Sequence, residues 1–119
     1  MINVGVIGVG SMGSNHARIY STLQEANLVG VSDADEGRAA EIAERYETAS
    51  LDLDALIERV DAVSVVVPTQ FHYDITRKCI EAGVDVLVEK PFVADPERGK
   101  ELIDLAEHED VLIQVGHIE

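Results

Sequence analysis

Residues 3–20, NVGVIGVGSMGSNHARIY, decide the fold. The apolar run Val4 to Ile7 leads into Gly8, Gly10 and Gly13 at G-x-G-x-x-G spacing, and a helical pattern beginning near Met12 follows at once. That order reads as strand, phosphate loop, helix. The first glycine permits a tight turn, the second lets backbone N–H groups approach a pyrophosphate, and the third lets helix and strand pack closely. The helix N-terminus then offers unpaired N–H donors and a partial positive charge to an anion. Ser11 and Met12, inside the loop, join the three glycines as candidate cofactor contacts. A bare glycine spacing fits a ligand-free βα turn equally well. The balance shifts with a second strand-like run, Asn27 to Ser32, ending in Asp33, 20 residues past Gly13. A dinucleotide fold places there the carboxylate that holds the adenosine ribose diol.

Outward from this stretch, strands and helices alternate. Ser14 to Leu23 reads as the first helix, with Ala17, Ile19 and Leu23 inward. Asp35 caps a second helix whose Ala39, Ile42, Ala43 and Tyr46 keep helical spacing while Glu41, Glu44 and Arg45 stay wet. Thr48 to Ser50 is a very short third strand, and Asp52 to Arg59 a short helix with Leu53, Leu56 and Ile57 inward. AVSVVV, Ala62 to Val67, is the apolar run expected of a parallel strand covered on both faces, and Pro68 stops it. A helix from about Phe71 to Ala82 follows, with Gly83 at its C-cap and a fifth strand at Val84 to Glu89. Asp95, Pro96 and Glu97 start a helix that runs to about His108, and Val111 to Val115 is a sixth strand. The pattern predicts an α/β, Rossmann-type, doubly wound parallel sheet of six strands in the order 3-2-1-4-5-6. Its ligand crevice then opens at the C-terminal ends of strands one and four, beside Gly8 to Gly13 and Pro68 to His72.

The chain has 119 residues, enough for one domain that buries roughly two thirds of its unfolded surface. No apolar run approaches the ~20 residues of a membrane span, and the N-terminus lacks a signal-peptide pattern, so a soluble, cytoplasmic protein is expected. Cys79 stands alone, which excludes an internal disulfide, and no metal set is expected. The formal net charge of −14, with three lysines among nine basic residues, argues against nucleic acid or anionic membranes as partners. That field also opposes a dinucleotide's phosphates, so local N–H donors must outweigh it or salt must screen it. Such a surface suits a high-salt cytoplasm, and an ordinary acidic protein is the plainer alternative.

Three stretches carry a resemblance: the glycine loop with Asp33, PTQFH at Pro68 to His72, and EKP at Glu89 to Pro91. Together they resemble the N-terminal domain of the Gfo/Idh/MocA family of nicotinamide-dependent oxidoreductases, over essentially the whole chain. VGHIE, Val115 to Glu119, resembles the linker into that family's second domain. The resemblance implies NAD as cofactor, a sugar, nucleotide sugar or cyclitol as substrate, and a homo-oligomeric whole enzyme. It also implies that acid/base and substrate residues lie in a C-terminal domain absent from these residues, and that the bond before Pro91 can be cis.

Lys90 follows an apolar strand near the expected nicotinamide end, where an ammonium stabilises the alkoxide character that develops as hydride leaves carbon. A solvated lysine, or one paired with Glu89, is the alternative read from the residues alone; the resemblance favours catalysis. His72 either contacts the nicotinamide ribose or substrate, or is a first-turn polar residue. Thr69 is expected to cap that helix while its backbone touches the cofactor, and Pro68, Glu89 and Lys90 complete the set of cofactor contacts. His16 reads as a helix-packing residue and His108 as solvated. NAD is expected over NADP by tenfold or more, because Asp33 accepts from the diol and repels a 2′-phosphate, with no Arg or Lys after it until Arg38. Two other functions stay open: a non-catalytic nucleotide-binding or redox-sensing module, which has no need of EKP, and a methyltransferase, against which Gly13 counts.

Overall fold

The computed structural model describes residues 1–89 and 95–116. Its elements run β1 (Ile2–Ile7), α1 (Ser11–Thr22), β2 (Ala26–Ser32), α2 (Glu36–Arg45), β3 (Ala49–Ser50), α3 (Leu53–Arg59), β4 (Ala62–Val65), α4 (Thr69–Glu81), β5 (Asp85–Glu89), α5 (Pro96–His108) and β6 (Ile113–Gly116). The six strands form one parallel sheet in the order β3-β2-β1-β4-β5-β6, as the alternation of elements predicts. Among the described residues, no helix is long and apolar enough to cross a membrane.

Helices cover both faces because successive strand residues point opposite ways. Val6 and Val31 face Ala17 of α1 and Ala39, Ile42 and Ala43 of α2. Ile7, Val63, Val65, Val86 and Val88 face Leu56 and Ile57 of α3, Cys79 and Ile80 of α4, and Leu102 and Ala106 of α5. Double-sided burial is why β4 reads as an unbroken apolar run. Its one polar member, Ser64, is fully buried and meets the Tyr20 hydroxyl of α1 at 2.7 Å.

The helix ends explain themselves chemically. Asp35, Asp52 and Asp95 accept from Arg38, Ala55 and Glu97 N–H and start α2, α3 and α5. Three helices end alike: α4 at Gly83 (φ +79°), α2 at Glu47 (φ 54°) and α5 at Asp110 (φ 57°), each a left-handed residue. In all three the next N–H reaches back five residues, Val84 to Cys79 O, Thr48 to Ala43 O, and Val111 to Ala106 O.

Some local expectations need correction. Leu23 is 45% exposed, because α1 ends at Thr22 and the chain turns outward there. Helix α4 begins at Thr69 rather than near Phe71, with Pro68 in the N-cap position and no side-chain cap bond, so Thr69 is the first helical residue and does not cap. Strand β4 stops at Val65, and Val66 and Val67 leave the sheet for the loop.

Candidate functional site

The chain leaves β1 for a helix on one face and reaches β4 from a helix on the other, which opens a crevice at the C-terminal strand ends. A cleft of about 1010 Å³ occupies it. The loops after β1, β2, β3 and β4 line it, with Gly8 and Gly10, Asp33 to Glu36, Leu51, and Val66 to Pro68.

The three glycines of the first loop are there for different reasons. Gly8 has φ +91°, and a Cβ on it would lie 2.1 Å from the Val66 carbonyl oxygen, so protein atoms alone demand glycine. At Gly13 a Cβ would lie 1.7 Å from the Gly8 carbonyl oxygen, which sets how closely α1 docks on β1. Gly10 differs: its Cβ would touch only Arg38 Nη1, at 3.7 Å. Among the described residues nothing forbids a side chain at Gly10, which lines the cleft and leaves room there for the close approach of a ligand.

Asp33, with a side chain 11% exposed, ties this loop to β2. Its Oδ2 accepts the Val9 N–H at 2.8 Å and its Oδ1 accepts the Asp35 N–H at 2.8 Å. A carboxylate has about four lone-pair sites, so capacity remains for a diol. Beside it, Arg38 Nη1 stands 3.8 Å from Oδ2. Arg38 is the only basic side chain among the described residues lining the cleft, against Asp33, Asp35, Glu36 and Asp52.

Two of the helix N-termini at the cleft, those of α1 and α4, are capped unlike the others. α1 starts at Gly10 and α4 at Pro68, neither with a side-chain cap bond and neither with an acidic residue in its first turn. The other three have Asp caps followed by Glu36, Asp54 or Glu97. Of the four helix starts that line the cleft, those of α2 and α3 carry Asp35, Glu36 and Asp52, while those of α1 and α4 are free of carboxylates. Their open N–H groups and positive dipole ends suit an anion.

Of the remaining expected site residues, Ser11 and Met12 are exposed on the first turn of α1. Pro68 lines the cleft, and Thr69 is exposed to solvent less fully, at the start of α4. His72 is 3% exposed, with Nε2 2.6 Å from the Val67 carbonyl oxygen, so it braces the β4–α4 loop from behind. His16 is buried with its ring edge-on to Tyr20, a packing role. His108 is exposed at the end of α5. Glu89 is the last residue of β5; its side chain, Lys90, Pro91, His117 and Glu119 lie outside the described residues. Cys79 is buried, and burial pushes its thiol up to about 12, so it is chemically inert.

Sequence reading passed over Arg38, Leu51, Val66 and Val67 as cleft residues. Arg38 had one available signal, its place one turn into the helix that Asp35 caps.

Residues 2–117 match the model of the family described as "Oxidoreductase family, NAD-binding Rossmann fold", GFO_IDH_MocA. UDP-N-acetylglucosamine 3-dehydrogenase of Acidithiobacillus ferrooxidans is 40% identical over 118 residues, which are 98% of this chain and 37% of that protein. Its solved structure superposes with a TM-score of 0.94, at 39% identity, over 98% of this chain and 38% of that one. An inositol 2-dehydrogenase of Corynebacterium glutamicum is 36% identical over 121 residues, covering 97% of this chain and 36% of that protein. The structure of GenD2 from gentamicin A biosynthesis in complex with NAD gives a TM-score of 0.92, at 31% identity, over 97% of this chain and 34% of that one. The chain thus spans little more than a third of the length of the relatives it matches.

Proposed function

The chain belongs to the Gfo/Idh/MocA oxidoreductase family as its NAD-binding Rossmann unit, and from that premise we propose that the protein oxidises a secondary alcohol of a sugar, nucleotide sugar or cyclitol with NAD. The observation that carries this reading is the pairing of an uncapped α1, entered through Gly8 to Gly13, with Asp33 at the end of β2. Pyrophosphate fits the first and the adenosine ribose diol the second. Two relatives named above are a UDP-N-acetylglucosamine dehydrogenase and an inositol dehydrogenase, which supports the proposed substrate class.

NAD, when bound, supplies the hydride acceptor. The chain's own residues bind and orient it: N–H groups of the first α1 turn meet the phosphates, Asp33 accepts from the diol, and the apolar walls at Leu51, Val66 and Val67 exclude water. Lys90, next after the last residue of β5, is proposed to donate to the reacting oxygen and stabilise its alkoxide character. Positioning of the alcohol carbon is assigned to a further domain of the whole protein, which is read as a cytoplasmic homo-oligomer. The charge of −14 is read as an adaptation to high salt, and a melting temperature that falls between low and molar potassium chloride would remove that part.

Thermal-shift measurement with NAD, NADP and S-adenosylmethionine tests the binding half; stabilisation by S-adenosylmethionine alone would overturn it. Appearance of reduced nicotinamide on incubating the full-length protein with NAD and a panel of nucleotide sugars, glycosides and inositols tests the reaction. Binding without turnover on any of them would leave a nucleotide-binding module.

A further inference from the structure

Helix α5 starts at the C-terminal end of β5, and its first turns have little apolar packing to hold them. From Pro96 to Glu101 the one buried residue is Gly99, which has no side chain; the first buried side chain is that of Leu102. What meets these turns is Tyr73, in the second turn of α4. Its hydroxyl donates to Glu101 Oε1 at 2.8 Å and accepts from Arg77 Nη1 at 2.9 Å, and the Arg98 guanidinium lies 4.6 Å over the centre of its ring. Arg77 also stands 3.6 Å from the Glu101 carboxylate. The ring itself packs against the core cluster that contains Leu102. Two different interactions, a hydroxyl network and a cation–π contact, thus converge from the start of α5 on one side chain of α4.

We propose that Tyr73 is a positioning residue for the reaction, the strut that fixes the start of α5 and, through it, one end of the short connection that carries Lys90. This rests on the dehydrogenase reading above and on the role given there to Lys90. Residues 90–94 join the end of β5 at Glu89 to the α5 cap, Asp95. A connection that short cannot absorb a displaced end without moving its members. One end is set by the sheet, where Val88 pairs with Val65 of β4 and with Val115 of β6. The other end is the first turn of α5, which Tyr73 ties to α4. That helix is itself placed at the cleft, where Pro68 and Phe71 line the wall. A displacement of about 1 Å at a reacting group costs up to about a hundredfold in rate. Tyr73 is not among the described residues lining the cofactor cleft, so its loss acts on turnover and not on NAD affinity.

The test compares kcat, substrate KM and the NAD dissociation constant of the full-length protein for Tyr73→Ala, Tyr73→Phe and Arg98→Ala, each made also in the Lys90→Met background, with apo melting curves to verify folding. The substrate is the compound oxidised fastest in the panel of nucleotide sugars, glycosides and inositols. Tyr73→Ala should lower kcat by about tenfold and leave the NAD dissociation constant nearly unchanged. Tyr73→Phe keeps the ring beneath Arg98, and Arg98→Ala, at an exposed position, keeps the hydroxyl bonds, so each should lose only part of that. In the Lys90→Met background none of the three should lower turnover further, because the group they position is gone. Unchanged kcat in Tyr73→Ala and Arg98→Ala, NAD affinity that falls together with kcat, or the same loss with and without Lys90 overturns the proposal while leaving the dehydrogenase reading intact. Absence of turnover by the unaltered protein removes that reading and this inference with it.

Discussion

The Asp33 carboxylate accepts the backbone N–H of Val9 at 2.8 Å, joining the end of β2 to the glycine loop 24 residues earlier. The group proposed to hold the ribose diol thus also fixes the loop proposed to hold the phosphates. Asp33→Ala should cost about 1.5 to 3 kcal/mol of stability in the absence of nucleotide, as loss of charge-assisted bonds does, and weaken NAD binding as well. Apo denaturant curves that coincide with those of the unaltered protein would show the latch to be without energetic weight.

Gly10 and Gly13 separate folding from binding. Gly13→Ala places a Cβ 1.7 Å from a backbone oxygen and should destabilise by about 3 kcal/mol through forced displacement of α1. Gly10→Ala meets nothing closer than 3.7 Å and should stay within about 1 kcal/mol of the unaltered stability. It should nonetheless weaken NAD by about tenfold or more, by obstructing approach to the loop N–H groups. Melting and NAD titration of both variants decide it; normal NAD affinity in Gly10→Ala would mean the ligand does not approach there.

Thr76 of α4 is fully buried, and its Oγ1 has no hydrogen-bond partner among the described residues. Replacing the hydroxyl by a methyl group of similar shape removes a desolvated polar atom, so Thr76→Val should stabilise by about 1 kcal/mol. A lower melting temperature for Thr76→Val would place an unrecognised partner at that oxygen.

Cys79 gives an alkaline limit with a definite sign. Its thiol ionises near 9.0 when exposed and is pushed by burial to about 12 in the folded chain. Between those values the unfolded chain loses a proton that the native state keeps, so stability falls as pH rises through that window, by at most about 1.4 kcal/mol per pH unit. Below the window Cys79 contributes no pH dependence. Urea melts from pH 8 upward should show a shallower decline in Cys79→Ala than in the unaltered protein; parallel declines would contradict the assignment.

Lys90→Met in the full-length protein should leave NAD affinity nearly unchanged and lower turnover by about a hundredfold or more, as loss of an oxyanion-type donor does. Abolished NAD binding, with turnover per bound cofactor retained, would make Lys90 a cofactor or structural residue instead.

The sheet order was legible because most strands are apolar runs and helices alternate with them, several with a recognisable start, as at Asp35 and Asp95. What escaped the sequence depends on a few dihedral angles or on distant partners. The run AVSVVV gives no sign that pairing ends at Val65 and that Val66 and Val67 turn into the cleft wall. Thr69 has the chemistry of a cap, yet the turn at Pro68 places it one residue too late. His72 has the same one-letter appearance as a ligand contact, and only the fold brings its Nε2 against the Val67 carbonyl. Arg38 was set aside as too far along the chain from Asp33, because the tight Asp33–Asp35 turn that returns it was not readable from composition.

The bare starts of α1 and α4 set a trap for anyone engineering this protein for heat resistance. Cap optimisation, scored on the ligand-free protein, would single out positions 10 and 68 as the obvious vacancies, since every other helix already carries an aspartate there. An aspartate at Gly10 would gain only about a few tenths of a kcal/mol, since glycine is itself an accepted cap, while setting a fixed negative charge at the proposed phosphate site. Thermostability screens blind to nucleotide would thus select against the proposed binding at the two helix starts that carry no side-chain cap.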